Sequence, residues 1–305
     1  MPSQDFSTQL SKEQSLRSER LKKSVTDLAQ QIGERSSSVP GSLDKAADYI
    51  SEQFRSRGYE VSEMSYSVSD ENRQTQTYRN IIAEKEDSLP TNSVIVVGAH
   101  YDTCFNPGAD DNASGVASLF ELANMIQQQK TKHRIRFVAF TNEEPPFFHT
   151  SIMGSRVYAR EIKKRGEKLR AAVILEMLGF YSNKRFSQRY IAPLGLFFPN
   201  KANFVAFIGN FRSRKTVQLL ESGFKSSSRF PIRSIVLPEK FPAVNFSDHD
   251  SFWKEGYQAI MVTDTAMFRN PHYHQSSDKP ATLDYKSMSA MLEGLAAAIT
   301  KLANT

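Results

Sequence analysis

The chain has 305 residues, of which 39% are hydrophobic and 24% charged, and its formal net charge is +6. This composition is typical of a soluble globular protein that is long enough to bury a full core. No stretch reaches the roughly 18 uninterrupted apolar residues of a membrane-spanning helix, so we expect no membrane span. The first 20 residues lack the apolar centre of a secretory signal, and the sequence as it stands favours a cytoplasmic location.

The positive charge is spread over short basic groups such as RLKK and FRSRK. Scattered groups of this kind are typical of solvated helix faces, so we expect no nucleic-acid partner, although a nucleic-acid binder is the alternative that the charge suggests. The single cysteine, Cys104, excludes an internal disulfide and a cysteine-based zinc knuckle. We interpret Cys104 as a small buried side chain rather than a nucleophile. We therefore expect histidines and carboxylates to bind any metal.

The predicted elements begin with two amphipathic helices after a flexible N-terminus of residues 1–13. Alternating segments at 59–68 and 76–85 then predict an edge hairpin. Five short apolar runs follow, separated by helical stretches, which is typical of strands buried on both faces of an α/β sheet. The predicted strands are 93–99, 134–140, 171–177, 204–210 and 259–264, and the predicted helices are 14–33, 42–58, 113–129, 154–165, 212–224 and 285–303.

No internal repeat or long linker divides the chain. We therefore predict a single domain over residues 14–305, with a central mixed, mostly parallel β-sheet flanked by helices. The longest irregular segment, residues 181–203, is of a length that usually serves as a lid or binding loop.

Ionisable side chains follow the predicted strands at the points where the strands end. They are His100 and Asp102, Glu143 and Glu144, Glu176, and Asp264, with His274 shortly after the last strand. Because ligand sites of open α/β sheets lie at the carboxyl ends of strands, we expect these groups to converge. Clustered carboxylates repel one another unless cations compensate them, and a mixture of imidazole and carboxylate suits zinc or a neighbouring metal. The pattern predicts a metal site with enough ligands for two ions.

Each of these residues also has a structural interpretation. A lone histidine is more often a hydrogen-bonded structural residue, and we interpret His133, His149 and His272 in that way. His100 differs because Asp102, two residues on, can orient its ring. In ADDNASG, at 109–115, one acid would suffice to cap a helix, which leaves a second acid for metal.

The paired glutamates Glu143 and Glu144 precede the apolar PPFF, a context that is unlike a solvated helix start. Two adjacent carboxylates can divide their tasks, one binding metal and the other moving protons. The sequence lacks the motifs of other enzyme classes. It has no G-x-S-x-G elbow, no phosphate-binding P-loop, no G-x-G-x-x-G and no H-E-x-x-H helix.

Five motifs, in order and spacing, resemble those of the zinc-dependent M28 peptidases, the family of bacterial leucyl aminopeptidases and glutamate carboxypeptidase. The motifs are GAHYDT with PGADDNASG, TNEEPPFF with MGS, LEM, FSDHDSFW, and YHQSSDKPATLDY. The resemblance runs from about residue 42 to the last residue and implies the phosphorylase/hydrolase-like fold of zinc exopeptidases. It also implies two zinc ions per chain. Glu176 stands where many members of the family have aspartate.

The resemblance implies a role for each matching residue. Asp110 would bridge the two ions, Glu143 would be the general base, and Asp102 would support His100. A cis peptide would join Asp110 to Asp111. The implied metal ligands are His100, Asp110, Glu144, Glu176 and His274.

The implied activity is that of an aminopeptidase, which uses a metal-activated water to release N-terminal residues from peptides. A glutaminyl cyclase-like acyltransferase, a carboxypeptidase or dipeptidase of the same fold, and a non-catalytic binding module are the alternatives. We place Asp248, His249, Asp264 and Tyr273 near the substrate. Six aromatic side chains could line an apolar pocket or belong to the core, namely Phe147, Phe148, Phe180, Tyr181, Phe197 and Phe198.

Overall fold

The structure is a computed structural model that describes residues 10–69, 75–85 and 93–305. Its helices are α1 (Lys12–Thr26), α2 (Ser42–Arg55), α3 (Gly115–Ile126), α4 (Gly154–Lys164), α5 (Arg214–Ser227), α6 (His249–Lys254) and α7 (Tyr285–Asn304). Its strands are β1 (Glu60–Ser69), β2 (Thr75–Glu84), β3 (Ser93–His100), β4 (Arg134–Phe140), β5 (Lys168–Glu176), β6 (Val205–Gly209), β7 (Ile232–Val236) and β8 (Ala259–Thr263). Within these described ranges, no helix has the length and apolar character needed to cross a membrane.

Helix α1 begins earlier than the sequence pattern predicted. Ser11 caps it, and the side chain of Gln14 accepts a hydrogen bond from the Ser11 backbone in return. This reciprocal pair satisfies two backbone N–H groups that would otherwise lack partners. The helix therefore includes residues 12 and 13, which we had assigned to the flexible N-terminus; residues 1–9 of that segment lie outside the described residues.

The eight strands form one mixed sheet in the order β1-β2-β4-β3-β5-β8-β6-β7. The central strands β4, β3, β5 and β8 are parallel, and β1 and β2 form an antiparallel hairpin at one edge. Strands β6 and β7 are parallel to each other and antiparallel to β8. The predicted fold class, a mostly parallel mixed sheet with an edge hairpin, is confirmed; the turn residues 70–74 of that hairpin lie outside the described residues.

Both faces of the central strands are buried, which explains the continuous apolar runs in the sequence. Along β3, Ile95 and Val97 pack into the core shared with α1, α2, α3, α5 and α7. The alternate residues Val94 and Val96 pack into a second core with α4 and α6. Strand β7 was not predicted, because this edge strand is short and mostly only half-buried, so its sequence lacks such a run.

Candidate metal centre

The parallel strands bring the predicted ionisable groups to one edge of the sheet. His100 is the last residue of β3, and its Nδ1 lies 3.2 Å from the backbone oxygen of Asp102 and 3.6 Å from the Asp102 carboxylate. The same carboxylate accepts hydrogen bonds from the backbone N–H groups of Glu143 (3.1 Å) and Glu144 (2.9 Å). Asp102 therefore supports the His100 ring and fixes the turn after β4, which is the supporting position that the resemblance implies.

Two histidine–carboxylate pairs face each other across Asp111. Nε2 of His100 lies 3.3 Å from Oδ1 of Asp111 and 3.4 Å from Oε2 of Glu176. Nε2 of His274 lies 3.2 Å from Oδ2 of Asp111 and 3.3 Å from Oε2 of Glu144. Each carboxylate oxygen of Asp111 thus faces one of the two histidines.

These separations fit a metal centre. Zinc bonds of about 2.0–2.1 Å in tetrahedral geometry place neighbouring nitrogen and oxygen ligands about 3.3 Å apart. Nε2 of His100 and Oε1 of Glu144 are buried and lack a hydrogen bond of acceptable geometry. Buried polar atoms are nearly always paired in native structures, so these two atoms call for a further partner. The imidazole and carboxylate donors also suit zinc chemically.

The electrostatics of the cluster favour cations as well. Burial raises the pKa of Glu144 to about 8, and burial raises the pKa of Glu143 well above its usual range. Although burial alone would raise the pKa of Asp111, the two imidazoles hold it well below its usual range. Without metal, the cluster would balance its charge by holding protons, which a divalent cation would displace. The carboxylates whose pKa burial raises are Glu143, Glu144, Glu176 and Asp248.

The structure places Asp111, not Asp110, between the two histidine–carboxylate pairs. Oδ1 of Asp110 accepts a hydrogen bond from the backbone of Gly179 at 2.7 Å, and Oδ2 accepts one from Asn270 at 2.6 Å. Asp110 is therefore committed to the scaffold, which contradicts the prediction that it bridges the ions; Asp111 instead lies between the two histidines. The cis peptide lies one bond later than predicted, between Asp111 and Asn112.

The loop that carries Asp111 is held by two residues that sequence reasoning missed. Asp278 accepts hydrogen bonds from the backbone N–H groups of Asp110 (2.9 Å) and Asp111 (3.1 Å). Arg35 is fully buried. Asp278 belongs to the YHQSSDKP motif, so the sequence offered a signal for its role. Arg35 stands alone in a polar segment, so the sequence offered no signal for it. Arg35 donates to the backbone carbonyls of Leu28, Gly33, Tyr101, Pro107 and Gly108.

Arg35→Met is expected to lower the free energy of unfolding by about 3 kcal/mol or more, because several buried carbonyls would lose their donor. Urea denaturation followed by circular dichroism measures this change. Arg229→Met is the matched control, since Arg229 is exposed, and surface substitutions usually change stability by less than about 0.5 kcal/mol. Equal stability of the two variants would contradict a clamping role for Arg35.

The four residues predicted to lie near the substrate occupy different environments. Asp248 is buried without a hydrogen bond of acceptable geometry, and burial raises its pKa to about 7. Tyr273 stacks on His274 with ring centroids 3.8 Å apart. Asp264 accepts hydrogen bonds from the backbone N–H groups of Phe180 and Ala266, so it serves the scaffold.

The structure does not support the predicted contact between His249 and the substrate. Its Nε2 lies 2.7 Å from the carbonyl oxygen of Val244, and its ring meets Trp253 edge-on at 4.5 Å. The side chain is fully buried, and burial lowers its pKa to about 4. These contacts commit the ring to the core. The neighbouring Ser247, which sequence reasoning missed, donates a 2.7 Å hydrogen bond to Oε2 of Glu176.

Cys104 is not the buried side chain that we predicted. It is half-buried, and its sulfur lies near the Glu144–His274 pair. Burial, together with the carboxylates of Glu144 and Asp111, raises the pKa of its thiol to about 11. The thiol is therefore neutral when no cation is close to it.

An apolar cavity, partly open to solvent, adjoins the centre at Glu176 and Tyr273. The irregular segment 181–203 contributes Leu194 and Phe198 to its wall. Of the six aromatic residues considered from the sequence, Phe198 alone lines this cavity; Phe147, for example, packs against the core. Strand residues Ala206, Ile208 and Met261 also line it.

Comparison with known proteins decides the family. Residues 80–299 match the profile of Peptidase family M28. The chain belongs to this family. Its membership confirms the predicted class of enzyme, a metallopeptidase.

Among proteins of similar sequence, the uncharacterized protein YfbL of Escherichia coli K12 is 35% identical over 298 residues, which cover 94% of this chain and 88% of YfbL. The probable leucine aminopeptidase 1 of Trichophyton verrucosum is 27% identical over 217 residues, covering 66% of this chain and 51% of that protein.

Solved structures share the fold. The zinc aminopeptidase BSAP of Bacillus subtilis superposes with a TM-score of 0.73 at 15% identity, covering 94% of this chain and 95% of BSAP. The glutaminyl cyclase of Fimbriiglobus ruber superposes with a TM-score of 0.67 at 20% identity, with 99% of both chains covered. The fold is therefore common to hydrolases and to cyclases.

Proposed function

We propose that the protein is a zinc-dependent aminopeptidase that binds two ions per chain and releases N-terminal residues from peptides. The observation that carries the proposal is the position of Asp111 between two complete histidine–carboxylate pairs. The names of similar proteins, a probable leucine aminopeptidase and a zinc aminopeptidase, support the same activity.

The ligands divide into two sets that share Asp111. His100 and Glu176 would hold one ion, and His274 and Glu144 would hold the other. When bound, the ions would make a water molecule more acidic and stabilise negative charge that develops on the scissile carbonyl.

Glu143 would move the proton. Its backbone is fixed by Asp102, its Oε2 lies 4.0 Å from Nε2 of His100, and its side chain is buried. A buried carboxylate with a raised pKa can accept a proton from the attacking water and return it to the leaving amine. The neighbouring Glu144 pairs with His274, so the adjacent glutamates divide proton transfer and metal binding between them.

The charge of the site favours a substrate with a free amine. Glu144 and Glu176 flank the centre, and their carboxylates would attract a protonated α-amine. The apolar cavity meets the centre at Glu176, so it can accept the side chain of the residue that bears this amine. We infer that the preferred N-terminal residues are large and apolar.

A pair of substrates tests the direction of cleavage. Leucine anilide should be hydrolysed, whereas N-acetyl-leucine anilide should not, because acetylation removes the charge of the amine. Chelator-treated protein should be inactive towards both, and reloading with zinc should restore only the first reaction. Equal hydrolysis of the blocked substrate would contradict an aminopeptidase.

Glutaminyl cyclase activity is the second candidate, because a cyclase shares the fold. A peptide with N-terminal glutamine separates the two chemistries by mass spectrometry. An aminopeptidase releases free glutamine, whereas a cyclase releases ammonia and leaves a pyroglutamyl peptide. The two complete pairs of ligands favour hydrolysis, so we expect free glutamine; accumulation of the pyroglutamyl product would overturn this assignment.

Ile208→Trp tests the role of the cavity. The larger ring would fill space that a leucine side chain needs but an alanine side chain does not. We expect the ratio of kcat/KM for leucine anilide over alanine anilide to fall by about 10- to 100-fold, which is the usual scale for apolar pocket contacts. An unchanged ratio would show that the substrate side chain binds elsewhere.

A further inference from the structure

Cys104 lies at the metal centre, although neither the family resemblance nor the proposed mechanism gives it a role. Its Sγ, a carboxylate oxygen of Glu144 and a ring nitrogen of His274 all lie within 4.8 Å of one another. A second observation points to a missing partner at the same place. Oε2 of Glu144 pairs with His274, but its other oxygen, Oε1, is buried without a hydrogen-bond partner.

We propose that the Cys104 thiolate is a further ligand of the metal ion held by His274 and Glu144. The inference rests on the proposed metal centre and adds a sulfur donor to one of its two sites. On binding, the thiol would release its proton to solvent and the sulfur would donate an electron pair to the ion. The site of His100 and Glu176 would keep only nitrogen and oxygen donors.

The backbone around Cys104 is fixed in a way that holds the sulfur near this site. Asn106 donates from Nδ2 to the carbonyl oxygen of Cys104 at 2.7 Å. The preceding Thr103 donates its backbone N–H to the carbonyl of Arg35 at 2.9 Å and accepts the Arg35 N–H on its hydroxyl at 3.0 Å. The buried Arg35 therefore anchors the segment on one side and Asn106 anchors it on the other.

Binding of the ion by Cys104 would require only a local shift of its sulfur. Zinc–sulfur bonds of about 2.3 Å and zinc–nitrogen bonds of about 2.0 Å in tetrahedral geometry place sulfur about 3.5 Å from nitrogen. Because the present groups lie within 4.8 Å of one another, a shift of about 1 Å closes the difference. A thiolate would make this site softer than its partner and favour zinc or cobalt over manganese or magnesium.

Cobalt substitution tests the proposal by spectroscopy. Protein loaded with two Co²⁺ ions per chain should show a near-ultraviolet thiolate-to-cobalt charge-transfer band. Cys104→Ser should lose this band, while far-ultraviolet circular dichroism shows that the variant is folded. Phe105→Ala is the matched control, because this adjacent side chain is 64% exposed and should leave the band unchanged.

Alkylation by iodoacetamide gives an independent test, since the chain has a single cysteine and the label reports on Cys104 alone. Coordination should slow alkylation by about tenfold or more relative to metal-free protein, because the reactive electron pair is withdrawn. A thiol that merely lies beside a bound cation should instead react faster, since the positive charge favours the thiolate. Faster or unchanged labelling in the loaded protein would overturn the proposal.

The outcomes separate this inference from the proposed function. If the protein binds two Co²⁺ ions and cleaves leucine anilide but shows no charge-transfer band, Cys104 is not a ligand and the proposed function stands. If the protein takes up no Co²⁺, the proposed metal centre fails, and this inference fails with it.

Discussion

Glu143→Gln is expected to lower the turnover number for leucine anilide by about two to four orders of magnitude, which is the usual contribution of a positioned acid–base group. Glutamine keeps the size of the side chain and the hydrogen bond from the Glu143 backbone to Asp102. It cannot accept and return the proton. Steady-state kinetics at saturating zinc measure the loss, and elemental analysis should find unchanged metal content.

The adjacent residue provides the matched control for this prediction. Glu144→Gln alters a side chain that lies 3.3 Å from His274, so it should lower metal content as well as rate. The two variants therefore differ in whether metal is lost. Near wild-type turnover of Glu143→Gln would remove Glu143 from proton transfer, and metal loss in that variant would show that it is a ligand instead.

Asp111→Asn is expected to weaken metal binding by at least about 100-fold, because loss of a residue that merely orients a ligand already costs about 10- to 100-fold. Asp111 faces both histidines, so the variant should lose affinity at both sites. Isothermal titration with zinc, together with elemental analysis after dialysis, measures the change. The rate of hydrolysis should fall with the metal content.

Asp110→Asn is the control, since the same substitution one residue earlier changes a carboxylate that contacts Gly179 and Asn270. This variant should keep both ions. Its amide can still accept the hydrogen bond from Gly179, so we expect only a modest loss of stability. Loss of metal from Asp110→Asn together with retention by Asp111→Asn would reverse the assignment of the bridge.

The fold was predictable because its physical causes are visible in the sequence. Strands buried on both faces read as continuous apolar runs, and parallel strands bring their carboxyl ends to one edge. The positions of His100, Glu143 and Glu176 at that edge followed from those two rules. Strand β7 was not predicted because a half-buried edge strand has no continuous apolar run.

The finer geometry of the centre was not predictable. Asp110 and Asp111 have the same chemistry, and the direction of each side chain depends on Asp278, which binds their backbone from 168 and 167 residues further along the chain. Arg35 likewise acts through hydrogen bonds to backbone carbonyls, and the residue types in the sequence do not indicate such bonds. Side-chain orientation at an irregular turn is thus set by distant contacts that local patterns do not encode.

Anomalous diffraction from zinc-soaked crystals tests the central claim, a two-metal centre bridged by Asp111, most directly. We predict two zinc peaks, one beside His100 and Glu176 and the other beside His274 and Glu144, with the Asp111 carboxylate between them. A single peak, or a bridging contact made by Asp110 instead of Asp111, would contradict this account.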